Sequence, residues 1–299
     1  MADSSRVWLI TGTSSGFGKR IAKVALERGD RVIATARSIE KLQELEEGLS
    51  PEHRQRFRKA ALDVTEGEDA IKAKVDAMAT FWGGIDILIN NAGFGLVGLI
   101  EEGGTKQLRR QFETNVFGVM DVTAAALPHL RESKDAAVVV VGSRSVWIPE
   151  LVGIGPYAAS KAAVHAITEN LSSELAPFNI KVCLVQPGGF RTEGIYGQPY
   201  FTGNPIPAYD TLREASIKRF AGVPGSEKGD PDKAAIAIVD VVRGEGVAKG
   251  RPWPPYLVLG EDAEVNVKNK CAKVLKVLDE WVDVARGVSF DPPQDGHSK

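Results

Sequence analysis

Val7-Trp8-Leu9-Ile10-Thr11-Gly12-Thr13-Ser14-Ser15-Gly16-Phe17-Gly18 is the stretch that decides how this chain folds. Four apolar residues read as a short buried strand, a turn rich in Gly and Ser comes next, and a helical pattern begins at once. Glycines let the backbone turn tightly and approach a ligand closely, and the N-terminus of the next helix presents unpaired N–H donors and a positive dipole end. The spacing Gly12-x3-Gly16-x-Gly18 differs from the Gly-x-Gly-x-x-Gly phosphate-binding fingerprint but has the same strand–turn–helix context. A plain tight turn would use the same glycines, so residues further along the chain have to decide between the two.

Outward from that turn, apolar runs rich in branched residues alternate with longer amphipathic segments, the signature of βαβ units. Strands are predicted at Val7–Ile10, Arg31–Thr35, Arg56–Leu62, Asp86–Ile89, Ala137–Val141, Lys181–Val185 and Tyr256–Leu259. Helices are predicted near Gly18–Arg28, Ile39–Glu47, Glu66–Phe81, Thr105–Ser133, Tyr157–Ala176 and Asp230–Arg243. Strands apolar on both faces require a parallel sheet buried between helix layers. The expected architecture is therefore α/β: a three-layer, doubly wound parallel sheet, the Rossmann fold, in a single domain with a core at 6–245. Residues 193–229, rich in Gly, Pro and aromatics, read as a long irregular insertion rather than a linker. At the C-terminal end, 254–299, a strand is followed by a helix over Val265–Arg286, with Val267, Cys271, Val274, Leu275, Leu278 and Val282 at helical spacing, and a frayed tail over Asp291–Lys299.

Composition narrows the function. The chain has 299 residues with 37 Lys+Arg against 39 Asp+Glu, so it lacks the basic footprint of most nucleic-acid binders. Cys183 and Cys271 are the only cysteines, and His53, His129, His165 and His297 show no ligand spacing, so no metal site is expected. The longest apolar run, Ala136 to Gly142, is far too short to span a membrane, and the N-terminus enters a strand with no room for a signal peptide. A cytoplasmic protein is the resulting expectation. Cys183 reads as a core filler, and His129 and His165 as structural.

The second strand exits as Ala34-Thr35-Ala36-Arg37-Ser38 without the acidic residue that would accept from a ribose 2′-hydroxyl. A guanidinium there suits a 2′-phosphate, so Arg37 points to NADP(H) rather than NAD(H). The later strand ends add Asp63-Val64, Asn90-Asn91-Ala92-Gly93, Asn115, Ser143, Tyr157-x3-Lys161 and Pro187-Gly188-x3-Thr192. With these motifs in this order, the chain resembles the short-chain dehydrogenase/reductase family over roughly residues 6–245.

That resemblance implies hydride transfer between a nicotinamide and a carbonyl or alcohol. Tyr157 and Lys161, four apart on a helix, share one face, and a cation beside a phenol favours the phenolate. Tyr157 is the implied general acid/base, Ser143 holds the substrate oxygen, and Asn115 extends a proton relay from Lys161. Cofactor contacts are implied for Gly12, Ser14, Ser15, Gly16, Phe17, Gly18, Arg37, Asp63, Val64, Asn91, Ala92, Gly93, Pro187, Gly188, Phe190 and Thr192, with Tyr157 and Lys161. The family's usual serine–tyrosine separation falls on Arg144; Ser143 is preferred because Val141-Gly142-Ser143 reads as a strand end, and Ser145 is the alternative.

The insertion is implied to be a substrate lid. Apolar Phe94, Leu96, Trp147, Leu151, Val152, Ile154, Tyr196, Tyr200 and Phe201 favour a hydrophobic ketone or aldehyde, with the chain acting as a carbonyl reductase. Family habit implies a homodimer or homotetramer through the helices starting near Thr105 and Tyr157. Two alternatives stay open: a non-catalytic NADP-binding scaffold or redox sensor, and an NADPH-binding biosynthetic cyclase or isomerase.

Overall fold

Valine and isoleucine dominate the strands because a branched side chain fits the pleated surface between two helix layers. In the computed structural model, which describes residues 5–193 and 198–290, the strands are β1 (Val7–Ile10), β2 (Arg31–Ala36), β3 (Phe57–Ala61), β4 (Ile87–Asn90), β5 (Ala137–Val141), β6 (Lys181–Pro187) and β7 (Tyr256–Leu259). They form one parallel sheet in the order β3-β2-β1-β4-β5-β6-β7. Helices are α1 (Gly16–Glu27), α2 (Gln43–Glu47), α3 (Pro51–Gln55), α4 (Glu68–Ala79), α5 (Ile100–Phe112), α6 (Gly118–Glu132), α7 (Gly155–Leu175), α8 (Asp210–Ala221), α9 (Pro231–Arg243), α10 (Glu261–Glu280) and α11 (Val282–Arg286). The three-layer, doubly wound fold is as expected.

Successive strand side chains point to opposite faces, which divides the core in two. On one face Leu9, Leu88, Val138, Val140 and Leu184 pack against Ile71 and Val75 of α4, Val122 and Ala126 of α6, and Val164 of α7. On the other, Trp8, Ile10, Ile87, Val139 and Val185 meet Ile21 and Ala25 of α1 and Ile238 and Val239 of α9. Cys183 is in this second cluster, 1% exposed, and burial pushes its thiol up to about 12, so it is an unreactive filler as expected. Among the described residues no helix is long and apolar enough to cross a membrane, and no His, Cys, Asp and Glu group could hold a metal.

Three segments differ from the sequence reading. The helix expected over Thr105–Ser133 is two helices joined by a π-helical turn, Glu113–Phe117, and α5 begins before Thr105 through a kink at Gly104 (φ 51°). The insertion at 193–229 is not wholly irregular, because it contains α8. Its few apolar residues give weak periodicity, and it is held instead by tertiary polar contacts: Arg213 pairs with Glu102, and Ser216 Oγ donates to the Val152 carbonyl at 3.1 Å. The C-terminal helix starts at Glu261, and Val274, Leu275 and Leu278 on it are exposed rather than packed. Tyr196, His297 and the segment Asp291–Lys299 lie outside the described residues.

The contrast between core and projecting helix is measurable. Leu88→Ala, in the fully buried centre of β4, should cost about 3 kcal/mol in urea unfolding, whereas Leu275→Ala should stay within about 0.5 kcal/mol.

Candidate active site

The crossovers run in opposite directions from β1 and β4, and their loops part at the carboxyl edge of the sheet, where open α/β folds bind ligands. A cleft of about 720 Å³ opens there. Its floor is a clasp between the two loops. Thr11 Oγ1 accepts from the Asn91 and Ala92 amides at 3.0 and 2.9 Å, and Asn91 Nδ2 donates to the Thr11 and Gly12 carbonyls at 2.9 and 3.1 Å. Gly12 has φ 69°, and a Cβ there would lie 2.9 Å from Ala92 Cα.

The nucleotide end is lined by Gly12, Ser14, Ser15, Gly16, Phe17, Arg37, Asp63, Val64, Asn91, Ala92 and Gly93, all expected from sequence. Ser15 is the N-cap of α1 but makes no capping bond. The Gly16 amide is taken by the Glu193 carboxylate, but the next first-turn amides at this helix start suit a pyrophosphate, so these residues fit a dinucleotide. Gly18 does not line the cleft; a Cβ on it would lie 2.5 Å from both Gly12 O and Asn91 Nδ2, so it lets helix and loop pack closely. Lys41, which the sequence reading missed, joins Arg37, and neither has an ion-pair partner among the described residues. Its position on the turn four residues after Arg37 was the available signal.

Glu193 was also missed. Its carboxylate accepts from the Gly16 amide at 2.8 Å and pairs with Arg20 at 2.9 Å, and the Arg20 hydrogen bond helps hold it down at about 2. This fastens the segment leaving β6 to the start of α1. Phe17 and Phe190 close the same seam edge to face, with ring centroids 5.2 Å apart.

At the other end, α7 presents Tyr157, Lys161 and His165 on one face, four residues apart. Lys161 Nζ donates to the Val141 carbonyl at 2.8 Å, and burial lowers this lysine to about 8. Asn115, in the π-helical turn, does not line the cleft. It is fully buried behind Gly93, with its amide donating to Phe94 O, Gln111 Oε1 and Ser160 Oγ at 2.9, 3.1 and 3.0 Å. A Cβ on Gly93 would lie 3.1 Å from Asn115 Oδ1 and 3.5 Å from Lys161 Nζ, so both groups come up behind that glycine.

Ser143 and Ser145 both line the cleft. Ser143 Oγ accepts from the Ser145 amide at 3.1 Å, capping the turn Arg144–Trp147 and leaving its own proton free to donate. Ser145 Oγ is buried without a hydrogen-bond partner. His165, read as structural, holds this turn: its Nε2 accepts from the Ser143 amide at 3.1 Å. Burial first, then the Lys161 charge, lowers His165 to about 4, so it stays a neutral acceptor at working pH.

Pro187, Gly188, Phe190 and Thr192 line this end as expected, with Ile148, Leu151, Ile154, Phe220 and Phe94. Val97, Ile154, Tyr157, Ala158 and Phe220 pack as a small third apolar cluster with Leu151 and Tyr200. Leu96, Trp147, Val152, Tyr200 and Phe201, expected in the cleft wall, do not line it. Trp147 instead donates from Nε1 to Gln186 Oε1 at 2.7 Å, and Phe201 pairs by its amide with the Val97 carbonyl at 2.8 Å. Arg110, stacked 5.7 Å from the Phe94 ring, Arg144 and Arg219 line the cleft and were missed because nothing local marks them.

A parallel sheet with a phosphate cradle at one end of its cleft and a tyrosine–lysine pair at the other defines a nucleotide-dependent dehydrogenase. The family model for short chain dehydrogenase matches residues 6–196, so the chain belongs to that family and is an oxidoreductase. It is 34% identical over 285 residues to oxidoreductase BOA17 of Botryotinia fuckeliana, covering 94% of this chain and 98% of that one. It is 37% identical over 190 residues to a 3-ketodihydrosphingosine reductase of Bacteroides thetaiotaomicron, covering 62% of this chain and 65% of the other. A short-chain dehydrogenase from Streptomyces avermitilis has the same fold with TM-score 0.82 and 35% identity, over 96% of this chain and all of that one.

The buried lysine makes a stability prediction. Lys161 titrates at about 8 in the folded protein against 10.5 when exposed, so below pH 8 both states hold the proton and the folded state carries the burial cost. That cost is roughly 3 kcal/mol, and it fades as pH rises toward the unfolded value. Lys161→Met should therefore raise Tm by several degrees at pH 7, with a smaller gain at pH 10. A lower Tm at pH 7 would contradict this. His165 works on the acid side: its folded value of about 4 lies below its unfolded 6.5, so stability falls as pH drops through that window. His165→Gln should flatten the part of the melting profile between pH 6.5 and 4 relative to wild type.

Proposed function

We propose that the protein is an NADP(H)-dependent carbonyl reductase acting on a hydrophobic ketone or aldehyde. The observation that carries this is one cleft with Arg37 and Lys41 at one end and Ser143, Tyr157 and Lys161 converging at the other. Two cations without acidic partners among the described residues suit a 2′-phosphate, and no acidic residue stands at the β2 exit to accept from a 2′-hydroxyl. The bound nicotinamide supplies the hydride. Ser143 Oγ, its lone pair engaged by the Ser145 amide, donates a hydrogen bond to the substrate oxygen and keeps its proton. Tyr157 delivers the proton that turns that oxygen into a hydroxyl, and the Lys161 ammonium stabilises the phenolate left behind. Asn115, beside Lys161 behind Gly93, sits where a relay could restore that proton. Ser145, with its buried unpaired hydroxyl, is the alternative holder of the substrate oxygen.

The apolar cluster of Val97, Ile154, Leu151 and Phe220 around Tyr157 favours a greasy substrate over a polyol. The relative named for 3-ketodihydrosphingosine, a long-chain ketone, supports the same class.

A panel of hydrophobic ketones and aldehydes with NADPH should yield products heavier by two hydrogens; an unchanged mass would indicate isomerisation instead. Tyr157→Phe should leave cofactor binding intact and lower kcat by about a thousandfold or more. Arg37→Ala should weaken NADPH about tenfold or more and leave NADH within about twofold. Equal losses for both cofactors would mean that Arg37 does not read the phosphate. Ser143→Ala and Ser145→Ala, compared on one ketone, assign the oxygen holder to whichever loses more kcat.

A further inference from the structure

The Ser143–Arg144 turn leaves β5 and the Gly188–Gly189 turn leaves β6, yet one carboxylate from neither strand touches both, at Arg144 and at the Gly189 amide. Asp262, near the start of α10, accepts from the Gly189 amide through Oδ2 at 2.8 Å, and the same oxygen lies 3.2 Å from Arg144 Nη1. Arg144 Nη1 also donates to Asn266 Oδ1 at 3.0 Å, one helical turn further on. The other carboxylate oxygen accepts from the Ala263 amide at 2.9 Å, which sets its rotation. Only a glycine at 188 allows this approach, since a Cβ there would lie 1.9 Å from Asp262 Oδ1. Asp262 and Asn266 lie beyond residue 196, where the family match ends.

We propose that Asp262 and Asn266 are positioning residues for the reaction: through Arg144 both hold the turn that carries the Ser143 hydroxyl, and Asp262, through the Gly189 amide, also holds the turn facing the reacting end of the cofactor. This rests on the function proposed above. The Ser143 turn is short, and three ties define it: His165 on the Ser143 amide, Gln186 on Trp147, and α10 on Arg144. Without the third, the residue next to Ser143 loses its anchor, and reaction rates fall steeply with small displacements of reacting groups. The Arg144 and Asp262 side chains are 29% and 42% exposed, and pairs this exposed add little stability. Their removal should therefore register in chemistry and cofactor binding rather than in folding. The C-terminal helix becomes a working part of the site.

The test uses the full-length chain and the variants Asp262→Ala, Asp262→Asn, Asn266→Ala and Arg144→Met. NADPH binding is followed by fluorescence titration, and 2′,5′-ADP, which occupies only the adenosine end, is titrated alongside. Asp262→Ala should weaken NADPH about tenfold, leave 2′,5′-ADP within about twofold, and lower kcat on the best panel ketone about tenfold with a smaller change in KM. Asp262→Asn keeps an acceptor for the Gly189 amide but loses the charge facing Arg144, so it should retain NADPH affinity and lose kcat. Asn266→Ala and Arg144→Met should do the same, and Arg144→Met with Asp262→Asn should be no worse than either alone.

Unchanged NADPH affinity and kcat in Asp262→Ala would overturn the proposal. So would equal weakening of NADPH and 2′,5′-ADP with a lowered Tm, which marks a merely structural contact. If the wild type prefers NADH, the cofactor reading fails; NADH against ADP-ribose then decides the positioning role by the same comparison.

Discussion

The parting of the chain between β1 and β4 is the constraint on which the rest of the structure depends. A parallel sheet places all its strand ends at one edge, and reversal of the winding direction leaves a gap between adjacent loops. Thr11 and Asn91 bridge that gap by hydrogen bonds, so the loops splay no further than a ligand needs. The clasp also holds the glycine turn after β1 against the Asn91–Gly93 turn after β4. Gly12 and Gly18 are glycines because the loops come within about 3 Å of where a side chain would begin.

Within this frame, stability and chemistry pull in opposite directions at α7. A lysine enclosed by protein is disfavoured as a cation, and Lys161 is brought to about 8 by burial alone. Its ammonium donates to a neutral carbonyl, Val141 O, rather than to a carboxylate that would offset the charge. An adjacent carboxylate would have stabilised the ammonium and offset that cost. His165, held neutral one turn away, serves the Ser143 loop without adding a second charge.

The insertion at 193–229 and the C-terminal helix were less legible, for a common reason. Both are fixed by polar contacts between residues distant in sequence: Arg213 with Glu102, Tyr209 with Glu101, and Arg144 with Asp262 and Asn266. Such contacts leave no local period, so α8 read as irregular and Arg144 as an interruption between two serines. Trp147, Tyr200 and Phe201 read as cleft lining by their apolar character, yet Trp147 bonds to Gln186, Phe201 pairs through its amide with Val97, and Tyr200 packs against the third apolar cluster. Composition alone carries no direction.

The fold was written in local pattern. Short branched runs bounded by Gly- and Asn-bearing turns located all seven strands to within a residue or two, because a buried parallel strand must be apolar on both faces. The order of motifs at the strand ends identified the family, and most of the motif residues line the cleft, Gly18 and Asn115 excepted, since each motif lies within one turn or one helix face. Tertiary structure decided what depends on approach between separate segments. It put Asn115 behind Gly93, set Lys41 beside Arg37 in the cleft, made His165 an acceptor for the Ser143 amide, and brought Asp262 against Gly189. Sequence spacing specifies neighbours along a helix or strand; which elements meet across the sheet edge is settled only when the two cores pack and the loops close over them.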